Sequence, residues 1–507
     1  MGLKVFNTLG RRLEEFAPLN PPRVGIYVCG PTVYSHSHLG HAKSYVSFDT
    51  IIRWLRASGY QVNYIQNITD VGHLTDNADA GEDKIVAEAR RRGLHPMAVA
   101  ELYTQSYLED MDALNVRRPD IMPRASGHVV EQIECAKALL AKGHAYEVNG
   151  SVYFDVHSFP GYGKLSGRSV AELEAGARVQ IKEEKRHPAD FALWKRAEPG
   201  HIMRWPSPWG EGYPGWHLEC SVMSQKYIGP TLDIHGGGLD NQFPHHECEI
   251  AQAESLTGQP FCRYWLHNNM VTLNGQKMSK SLGNTISLKE LFYEGSRLLE
   301  RTFEPVVVRQ FILMSHYRTP LDFSSEALLA AQAGSYKLRD QIWAVRRALV
   351  RRRQTDPGAP DLLSGPPSAG GLGGWEGFGP TEAVRAALSD AQRRFADAMN
   401  EDFNTAAAVA VVFELARLAD GWVTTNAPTN DLLAAGTLLE FLTGDVLGLK
   451  WPEERGTSGE RDALIQILVD LRNEARKAKN FALADQIRQR LFSVGIELRD
   501  TPDGTRW

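Results

Sequence analysis

Two short apolar segments near the N-terminus enclose a stretch with helical character, and this alternation constrains the fold more than any other feature. Residues 24–28 read Val-Gly-Ile-Tyr-Val and residues 62–65 read Val-Asn-Tyr-Ile, with the helix-like stretch from Tyr45 to Ser58 between them. Strands that alternate with helices predict βαβ units, in which the strands run parallel and helices cover the sheet. The first half of the chain is therefore expected to be an α/β domain with a parallel sheet.

A third apolar segment, Thr231 to Ile234, is followed directly by His-Gly-Gly-Gly at residues 235–238. Consecutive glycines let a backbone approach a ligand closely because no Cβ intervenes. The pattern predicts a strand that ends in a backbone-rich ligand loop, at the edge of the sheet where α/β folds bind nucleotides.

The length of 507 residues predicts about three or four domains. Residues 1–321 are expected to form the α/β domain, with an insertion at about 115–205 where turn signals replace the alternation. Residues 322–450 have apolar positions at helical spacing and predict a helical bundle, interrupted by a Pro- and Gly-rich linker at about 354–380. The last module, 460–507, begins with an amphipathic helix and ends in a β-like tail.

Charge and cysteine content narrow the class of protein. The net charge of −5 excludes a basic surface over the whole chain, although residues 346–353 and 472–490 are locally basic. These stretches predict either RNA-binding helices or solvated helix surfaces. The five cysteines, at positions 29, 135, 220, 248 and 262, form no C-x-x-C pair. The first residues show no basic stretch followed by an apolar run, and no later segment has about 18 uninterrupted apolar residues. We therefore expect a cytoplasmic protein without disulfides and without a membrane partner.

The sequence His38-Leu39-Gly40-His41 follows the first strand and is expected to open a helix. A helix N-terminus attracts anions, and two imidazoles there are able to donate to phosphate oxygens. The alternative is a pair of surface histidines.

A second motif, Lys-Met-Ser-Lys-Ser at residues 277–281, places Lys277 and Lys280 between the glycine-containing turns 274–275 and 283–284. Such a loop is able to close over a triphosphate and neutralise the charge that develops there. The alternative is a solvated basic loop.

The sequence Pro-His-His-Glu-Cys-Glu at residues 244–249 predicts a helix start. His245 and Glu249 are four residues apart on one helix face, so both can bind one metal ion, and Cys248 is a geometrically acceptable competitor. Cys29 and Cys220 are able to complete a tetrahedral site. Buried structural cysteines are the alternative.

The two motifs, in this order, resemble those of the class I aminoacyl-tRNA synthetases, and most closely those of the cysteine-specific family. The resemblance extends over nearly the whole chain, through residues 27–34, 67–70, 214–221, 233–238, 243–247 and the tail 503–507. It implies a Rossmann-like parallel-sheet catalytic domain with an insertion, a helical bundle domain and a small mixed α/β module that recognises the anticodon.

The resemblance also implies the substrates and the residues that bind them. The expected substrates are L-cysteine, ATP and tRNA(Cys), for a monomeric enzyme that uses one Zn²⁺ and takes Mg²⁺ with ATP. The implied zinc ligands are Cys29, Cys220, His245 and Glu249, with Cys248 left as a helix residue. The implied catalytic residues are His38, His41, Lys277 and Lys280. The implied ATP site comprises Gly40, Gly236, Gly237, Gly238, Asp240 and Lys280. The implied cysteine site comprises Gly30, Thr69, Trp216 and His235.

Two other functions are compatible with these motifs. A ligase that passes the same cysteinyl adenylate to an amino sugar needs a similar catalytic half but no basic C-terminal module. A degenerate synthetase that serves only as an RNA-binding regulator needs neither intact motifs nor intact ligands. The segment Asp70 to Asp76 is expected to border the active site, with no role assigned to His73.

Overall fold

The computed structural model describes residues 2–75, 81–172, 184–278, 283–355, 372–452, 459–493, 496, 498–501 and 504–506. The chain forms two compact units, residues 1–450 and residues 451–507. The strands of the first unit are β1 Lys4–Asn7, β2 Arg12–Glu15, β3 Arg23–Val28, β4 Gln61–Gln66, β5 Ala145–Val148, β6 Ser151–Phe154, β7 Phe191–Arg196, β8 Trp205–Ser207, β9 Gly210–Pro214, β10 Leu232–Gly238, β11 Cys262–Asn268, β12 Val271–Leu273, β13 Gln276–Lys277 and β14 Leu321–Phe323.

The described α-helices of the first unit are α1 Leu39–Ala57, α2 Lys84–Arg92, α3 Pro96–Ala113, α4 Val129–Ala141, α5 Trp216–Tyr227, α6 His245–Thr257, α7 Pro305–Leu313, α8 Ser325–Thr355, α9 Glu382–Asn400, α10 Thr405–Thr424 and α11 Thr429–Glu440.

A four-stranded parallel sheet forms the centre of the first unit, in the order β4-β3-β10-β11. Helix α1 connects β3 to β4 on one side, and α6 connects β10 to β11 on the other. The two crossovers therefore diverge from the β3–β10 pair, which creates a crevice at the carboxyl ends of these strands, where ligands of α/β folds bind. The predicted parallel α/β sheet is confirmed.

Residues 235–238 are strand and not the predicted loop, because β10 continues through Gly238 and pairs with β11 along this stretch. The glycines have a packing reason. A Cβ on Gly236 would lie 2.3 Å from the ring of Phe48, on α1. The helix therefore packs directly on the bare backbone of the strand, and the expectation that residues 235–238 form a loop was wrong.

The insertion contains α4 and a separate antiparallel sheet in the order β5-β6-β7-β9-β8. This sheet ends at Pro214, beyond the expected limit near residue 205. The backbone N–H of Gly215 then donates to the carbonyl of Leu193 at 2.9 Å, and a Cβ on Gly215 would lie 2.0 Å from the carbonyl oxygen of Ala192. This close approach joins the insertion to the start of α5.

Buried arginines fasten the helical region to the sheet domain. Arg309 of α7 is fully buried and places Nη2 2.5 Å from Oδ2 of Asp49, on α1. Arg53 donates to the same carboxylate oxygen at 2.7 Å. Arg309 also donates to the carbonyl of Leu447, beyond α11. Asp49 and Arg309 together thus connect α1, α7 and the segment beyond α11.

In the second unit the helices α12 Gly459–Lys477 and α13 Phe481–Ser493 pack together, and the strands β15 Arg499–Thr501 and β16 Gly504–Arg506 form an antiparallel hairpin. The predicted helix followed by a β-like tail is confirmed. Arg472 is buried and lies 3.4 Å from Oγ1 of Thr505, so it supports the hairpin and is not part of an exposed basic surface. None of the described helices has the length and apolar character needed to span a membrane.

Candidate active site and metal cluster

A cleft of about 740 Å³ opens at the carboxyl ends of β3 and β10. Its walls come from the turn after β3, the start of α1, the segment after β4, the starts of α5 and α6, and the segment after β11. Twelve of the predicted site residues line it: Cys29, Gly30, His38, Gly40, His41, Thr69, Trp216, Cys220, Gly238, Asp240, His245 and Lys277. The others that the structure describes, His235, Gly236, Gly237 and Glu249, are buried directly behind it.

The four predicted metal ligands converge at one wall of the cleft, with one donor atom of each lying within 4.8 Å of all the others. Sγ of Cys29 is 3.9 Å from Sγ of Cys220 and 3.7 Å from Oε1 of Glu249. Nε2 of His245 is 3.1 Å from the same Oε1. The helical spacing of His245 and Glu249 on α6 brings the imidazole and the carboxylate together as predicted.

The chemistry of these donors fits a zinc ion. Burial raises the pKa of the Cys29 thiol to about 12 and raises that of Cys220 well above its usual value, so both thiols stay protonated without a cation. Burial also holds the pKa of His245 well below its usual value, which keeps the imidazole neutral and able to bind a metal. Two sulfurs, one imidazole and one carboxylate are a donor set that suits Zn²⁺, which binds cysteine as the thiolate.

A second overlapping group consists of Cys29, His235, His246 and Glu249. Nε2 of His246 is 3.2 Å from Sγ of Cys29, and its Nδ1 is 2.8 Å from Nε2 of His267. Both His235 and His246 are completely buried behind the cleft wall. The first group, by contrast, has three members that line the cleft and are able to meet a ligand there.

His235 lies behind Glu249 and not at the cleft surface. Its Nε2 is 2.7 Å from Oε2 of Glu249, and its ring stacks on Trp265 at a centroid distance of 4.7 Å. The imidazole therefore orients the carboxylate oxygen that faces away from the other ligands.

An aromatic stack leads from the metal cluster into the cleft. Trp216 lies between His245, at a centroid distance of 4.4 Å, and His73, at 3.9 Å. His73 in turn places Nδ1 2.6 Å from Oγ1 of Thr32 and Nε2 2.7 Å from Nζ of Lys84. The predicted position of the segment after Asp70 beside the active site is supported for His73, while residues 76–80 lie outside the described part of the chain.

A buried polar network shapes the floor near Gly30. Asn67 accepts a hydrogen bond from the Gly30 backbone N–H at 2.8 Å, and a Cβ on Gly30 would lie 1.6 Å from the Asn67 carbonyl oxygen. The Thr69 hydroxyl donates to Glu219, whose pKa burial raises well above its usual value. Only glycine at position 30 lets the end of β3 lie this close to Asn67, at the end of β4.

The two histidines of the His-Leu-Gly-His motif cap α1. Nδ1 of His38 accepts from the Gly40 backbone N–H at 3.1 Å, and Nδ1 of His41 accepts from the His38 backbone N–H at 3.2 Å. The rings stack with centroids 4.0 Å apart. Because Nδ1 accepts in each ring, the neutral tautomer carries its proton on Nε2, which makes that atom a donor.

The two signature motifs share one region of the fold. Residue 38 pairs with Ser287 in an isolated β-bridge, and the Leu288 backbone N–H donates to the Ser37 carbonyl at 2.8 Å. Lys277 is exposed at the end of β13, and its carbonyl accepts from Nδ2 of Asn284 at 3.0 Å. Lys280 lies outside the described residues, between these two ends.

Several residues of the site were not predicted. His246 is three residues before Glu249, so helical spacing places it beside the same carboxylate, and this signal could have identified it. Asn67, Glu219 and Lys84 have no local pattern that marks them, because tertiary contacts alone bring them to the cleft. Cys248 faces a buried apolar cluster instead, with Sγ 3.4 Å from the Tyr162 hydroxyl.

Comparison with known families matches two regions of the chain. Residues 15–333 match the family described as tRNA synthetases class I (C) catalytic domain. Residues 394–450 match the DALR domain.

Solved structures with a similar fold are class I synthetases. A ternary complex of Agrobacterium radiobacter K84 agnB2 LeuRS with tRNA and LeuAMS superposes with a TM-score of 0.58 at 13% identity, over 86% of this chain and 85% of the other. Mycobacterium tuberculosis methionyl-tRNA synthetase bound by methionyl-adenylate gives a TM-score of 0.54 at 15% identity, over 84% and 92% of the two chains. These likenesses show the fold.

Curated relatives match over the full length. A cysteine–tRNA ligase of Chlorobium luteolum is 51% identical over 519 residues, which cover 100% of this chain and 99% of the relative. A cysteine–tRNA ligase of Thermus thermophilus is 47% identical, again over 100% and 99%. The cleft, its thiol-containing cluster and these full-length matches together show that the chain belongs to the cysteine–tRNA ligase family of class I tRNA synthetases.

Proposed function

We propose that the chain activates L-cysteine with ATP to form cysteinyl adenylate and pyrophosphate, and then transfers the cysteinyl group to the 3′ end of tRNA(Cys). The observation that carries this proposal is the convergence, in one cleft, of a buried Cys-Cys-His-Glu cluster with the paired histidines at the N-terminus of α1. The first can recognise a thiol, and the second can hold phosphates.

Cys29, Cys220, His245 and Glu249 are proposed to hold Zn²⁺, which would supply a soft centre for the thiolate of the substrate. Pocket shape alone discriminates poorly between cysteine and serine, which differ by one atom, whereas direct binding of sulfur supports the roughly 10⁴-fold selectivity that translation requires. His235 is proposed to hold Glu249 in its ligating orientation. Gly30, Thr69 and Trp216 surround the position next to Cys29 and Cys220 and are proposed to enclose the rest of the amino acid.

ATP is proposed to lie against Gly40 and Gly238, with Asp240 near the adenosine and Gly236 and Gly237 supporting the strand beneath. His38 and His41 are proposed to donate hydrogen bonds from Nε2 to the phosphates. Lys277 and Lys280 are proposed to close over the same phosphates, with Mg²⁺ accompanying ATP. Catalysis then rests on positioning and charge stabilisation, since the carboxylate of cysteine attacks the α-phosphate directly.

Residues 451–507 are proposed to recognise the anticodon of tRNA(Cys). Arg476, Lys477, Lys479, Arg488 and Arg490 are exposed on α12 and α13 and at the turn between them, and they are suited to phosphate contacts. We also propose a cytoplasmic monomer. The described site residues all come from one chain, and the five cysteines are buried and form no disulfide, which supports this proposal.

Cysteine-dependent exchange of pyrophosphate into ATP, followed by aminoacylation of total tRNA, tests the function. Cysteine and serine are supplied in parallel. We expect exchange and tRNA charging with cysteine and neither with serine at equal concentration. Absence of cysteine-dependent exchange in the zinc-loaded protein would overturn the proposal.

The same assay tests the alternative acceptor. An amino sugar is offered in place of tRNA after adenylate formation. Transfer to the sugar without transfer to tRNA would leave the activation step standing and replace tRNA as the acceptor.

A further inference from the structure

Three side chains of the insertion lie close to one another, and none of them belongs to the cysteine-containing cluster. Asp155 and His157 follow β6, and His187 precedes β7. One donor atom of each lies within 4.8 Å of the other two, the same limit that the four ligands of the first cluster satisfy. The two imidazole rings are 4.0 Å apart between centroids and tilted by 44°.

A fourth residue, Asp190, holds the two halves of this group together. Its Oδ1 accepts from the Val156 backbone N–H at 3.0 Å, and its Oδ2 accepts from the His187 backbone N–H at 3.1 Å. Asp190 is buried, and its Oδ2 also accepts from the Tyr146 hydroxyl at 2.7 Å. One buried carboxylate therefore fixes the backbone of both donor segments in relation to each other.

The turn after β6 sets the remaining geometry. Asp155 caps the 3₁₀ turn Val156–Ser158 by accepting from the His157 backbone N–H at 3.1 Å through Oδ1. The other oxygen, Oδ2, is 3.9 Å from Nη1 of Arg186, a pair in which the arginine side chain is 60% exposed. Such a long and solvated ion pair contributes little, so it competes weakly with a cation that binds the carboxylate directly.

Two imidazoles and one carboxylate are a ligand set of divalent transition metals such as Zn²⁺, Co²⁺ and Ni²⁺, with water at the remaining positions. This group differs from the first cluster in two respects. It contains no thiolate, and its residues are half-buried or exposed, so a bound ion keeps part of its hydration and binds more weakly.

We propose that Asp155, His157 and His187 form a second binding site for a divalent transition-metal ion, separate from the cleft and independent of the aminoacylation function. A metal bound there connects the turn after β6 to the segment before β7. These two strands are neighbours in the antiparallel sheet, so the ion would stabilise one end of the insertion.

Metal counting on the full-length zinc-loaded protein tests the proposal with Zn²⁺ as the probe. Wild type, His157→Ala and His187→Ala are dialysed to equilibrium against micromolar Zn²⁺ at neutral pH, and zinc per chain is measured by mass spectrometry. His95→Asn is the matched control, because it removes an exposed imidazole outside both clusters and Asn still caps α3. Asp155→Asn preserves the acceptor for the His157 N–H and tests the carboxylate alone.

We expect wild type and His95→Asn to bind one more zinc per chain than either histidine variant, with Asp155→Asn binding the extra ion more weakly. Added Zn²⁺ should raise the thermal midpoint of wild type and not of the histidine variants, since only wild type binds it in the folded state. Cysteine-dependent exchange, unchanged in all variants, serves as the check of folding. Equal zinc content in wild type and both histidine variants would overturn the proposal.

Discussion

At the scale of single residues, the environment of each donor decides what it can do. Cys29 and Cys220 are buried thiols beside the Glu249 carboxylate, and Cys248, one residue before Glu249, is buried against apolar side chains. The same residue type is thus a candidate ligand in one place and a core residue in another. Distances to the other donors make the difference, and sequence spacing on α6 alone did not exclude Cys248.

Replacing Cys220 with alanine should abolish tight zinc binding at the first cluster, because three ligands remain and one of the two sulfurs is lost. Cys248→Ala is the matched control, since this cysteine is equally buried and contacts Tyr162 instead of the cluster. Metal analysis after dialysis against a chelator measures the outcome. Full zinc occupancy in Cys220→Ala would remove this residue from the ligand set.

Substitution of His235 by alanine should weaken zinc binding by about 10–100-fold, because Glu249 loses the partner that orients its second oxygen. His235→Gln retains an N–H donor and should recover part of this loss. Competition with a chromophoric chelator measures the zinc affinity of wild type, His235→Ala and His235→Gln. Identical affinities would show that His235 only fills space behind the cleft.

At the scale of secondary-structure elements, α1 has two roles. Its N-terminus presents His38 and His41, which cap the helix, and its middle carries the buried Asp49. Burial pushes the pKa of Asp49 upward, but the guanidinium groups of Arg309 and Arg53 and a backbone N–H outweigh this, so the net pKa is lowered. The helix that lines the cleft is thereby tied to the helical region through charge pairs that exclude water.

Arg309→Met should destabilise the first unit by about 3 kcal/mol, because it leaves part of the Asp49 charge and the Leu447 carbonyl without a partner. The thermal midpoint should shift downward by roughly 3 °C, because the unfolding entropy of a unit of this size is large. Arg393→Met is the control, because its ion pairs to Asp390 and Asp397 are exposed to solvent and contribute little to stability. Equal midpoints for the two variants would contradict the prediction.

The sign of the pH dependence follows from the lowered pKa of Asp49. The stabilisation from the Asp49–Arg309 ion pair is present above the pKa of an unfolded aspartate. It is lost as the pH falls through the lower pKa that Asp49 has in the folded protein. The difference in thermal midpoint between wild type and Arg309→Met should therefore narrow under strongly acidic conditions.

At the scale of the whole molecule, the proposed chemistry and the proposed tRNA recognition belong to different parts of the chain. The cleft and both proposed metal-binding groups belong to residues 1–450, whereas residues 451–507 form a compact unit with its own helix pair and hairpin. The overall charge of −5 conceals a locally basic stretch at residues 472–490 of this second unit. Net charge was therefore a poor guide to the nucleic-acid partner.

Reversing two exposed charges of the second unit, Lys477→Glu with Arg488→Glu, should lower kcat/KM for tRNA charging about tenfold or more and reduce its salt dependence. Cysteine-dependent exchange needs no tRNA and should stay unchanged. Glu474→Gln with Asp485→Asn removes acids from the same stretch and should act in the opposite direction. Unaltered charging kinetics in the first variant would refute phosphate contacts by these two residues.

Patterns that depend on local sequence were predictable, and patterns that depend on distant contacts were not. The strands around α1, the helix that begins at Leu39 and the His245–Glu249 pair follow from periodicity and spacing. The roles of Gly236, His235 and Arg472 do not, because each is determined by a residue from another element, namely Phe48, Glu249 and Thr505. The assignment of Cys29 and Cys220 as metal ligands depended on the family resemblance, since these two cysteines lie 191 residues apart.

That separation has a consequence for how the protein is made. During synthesis the first proposed thiol ligand, Cys29, leaves the ribosome 220 residues before the last proposed donor, Glu249. The antiparallel sheet of the insertion lies between them and can pair its strands beforehand. Metal capture at the cleft therefore requires synthesis of the chain through α6, so a nascent chain that stops before α6 cannot hold zinc with the proposed ligand set.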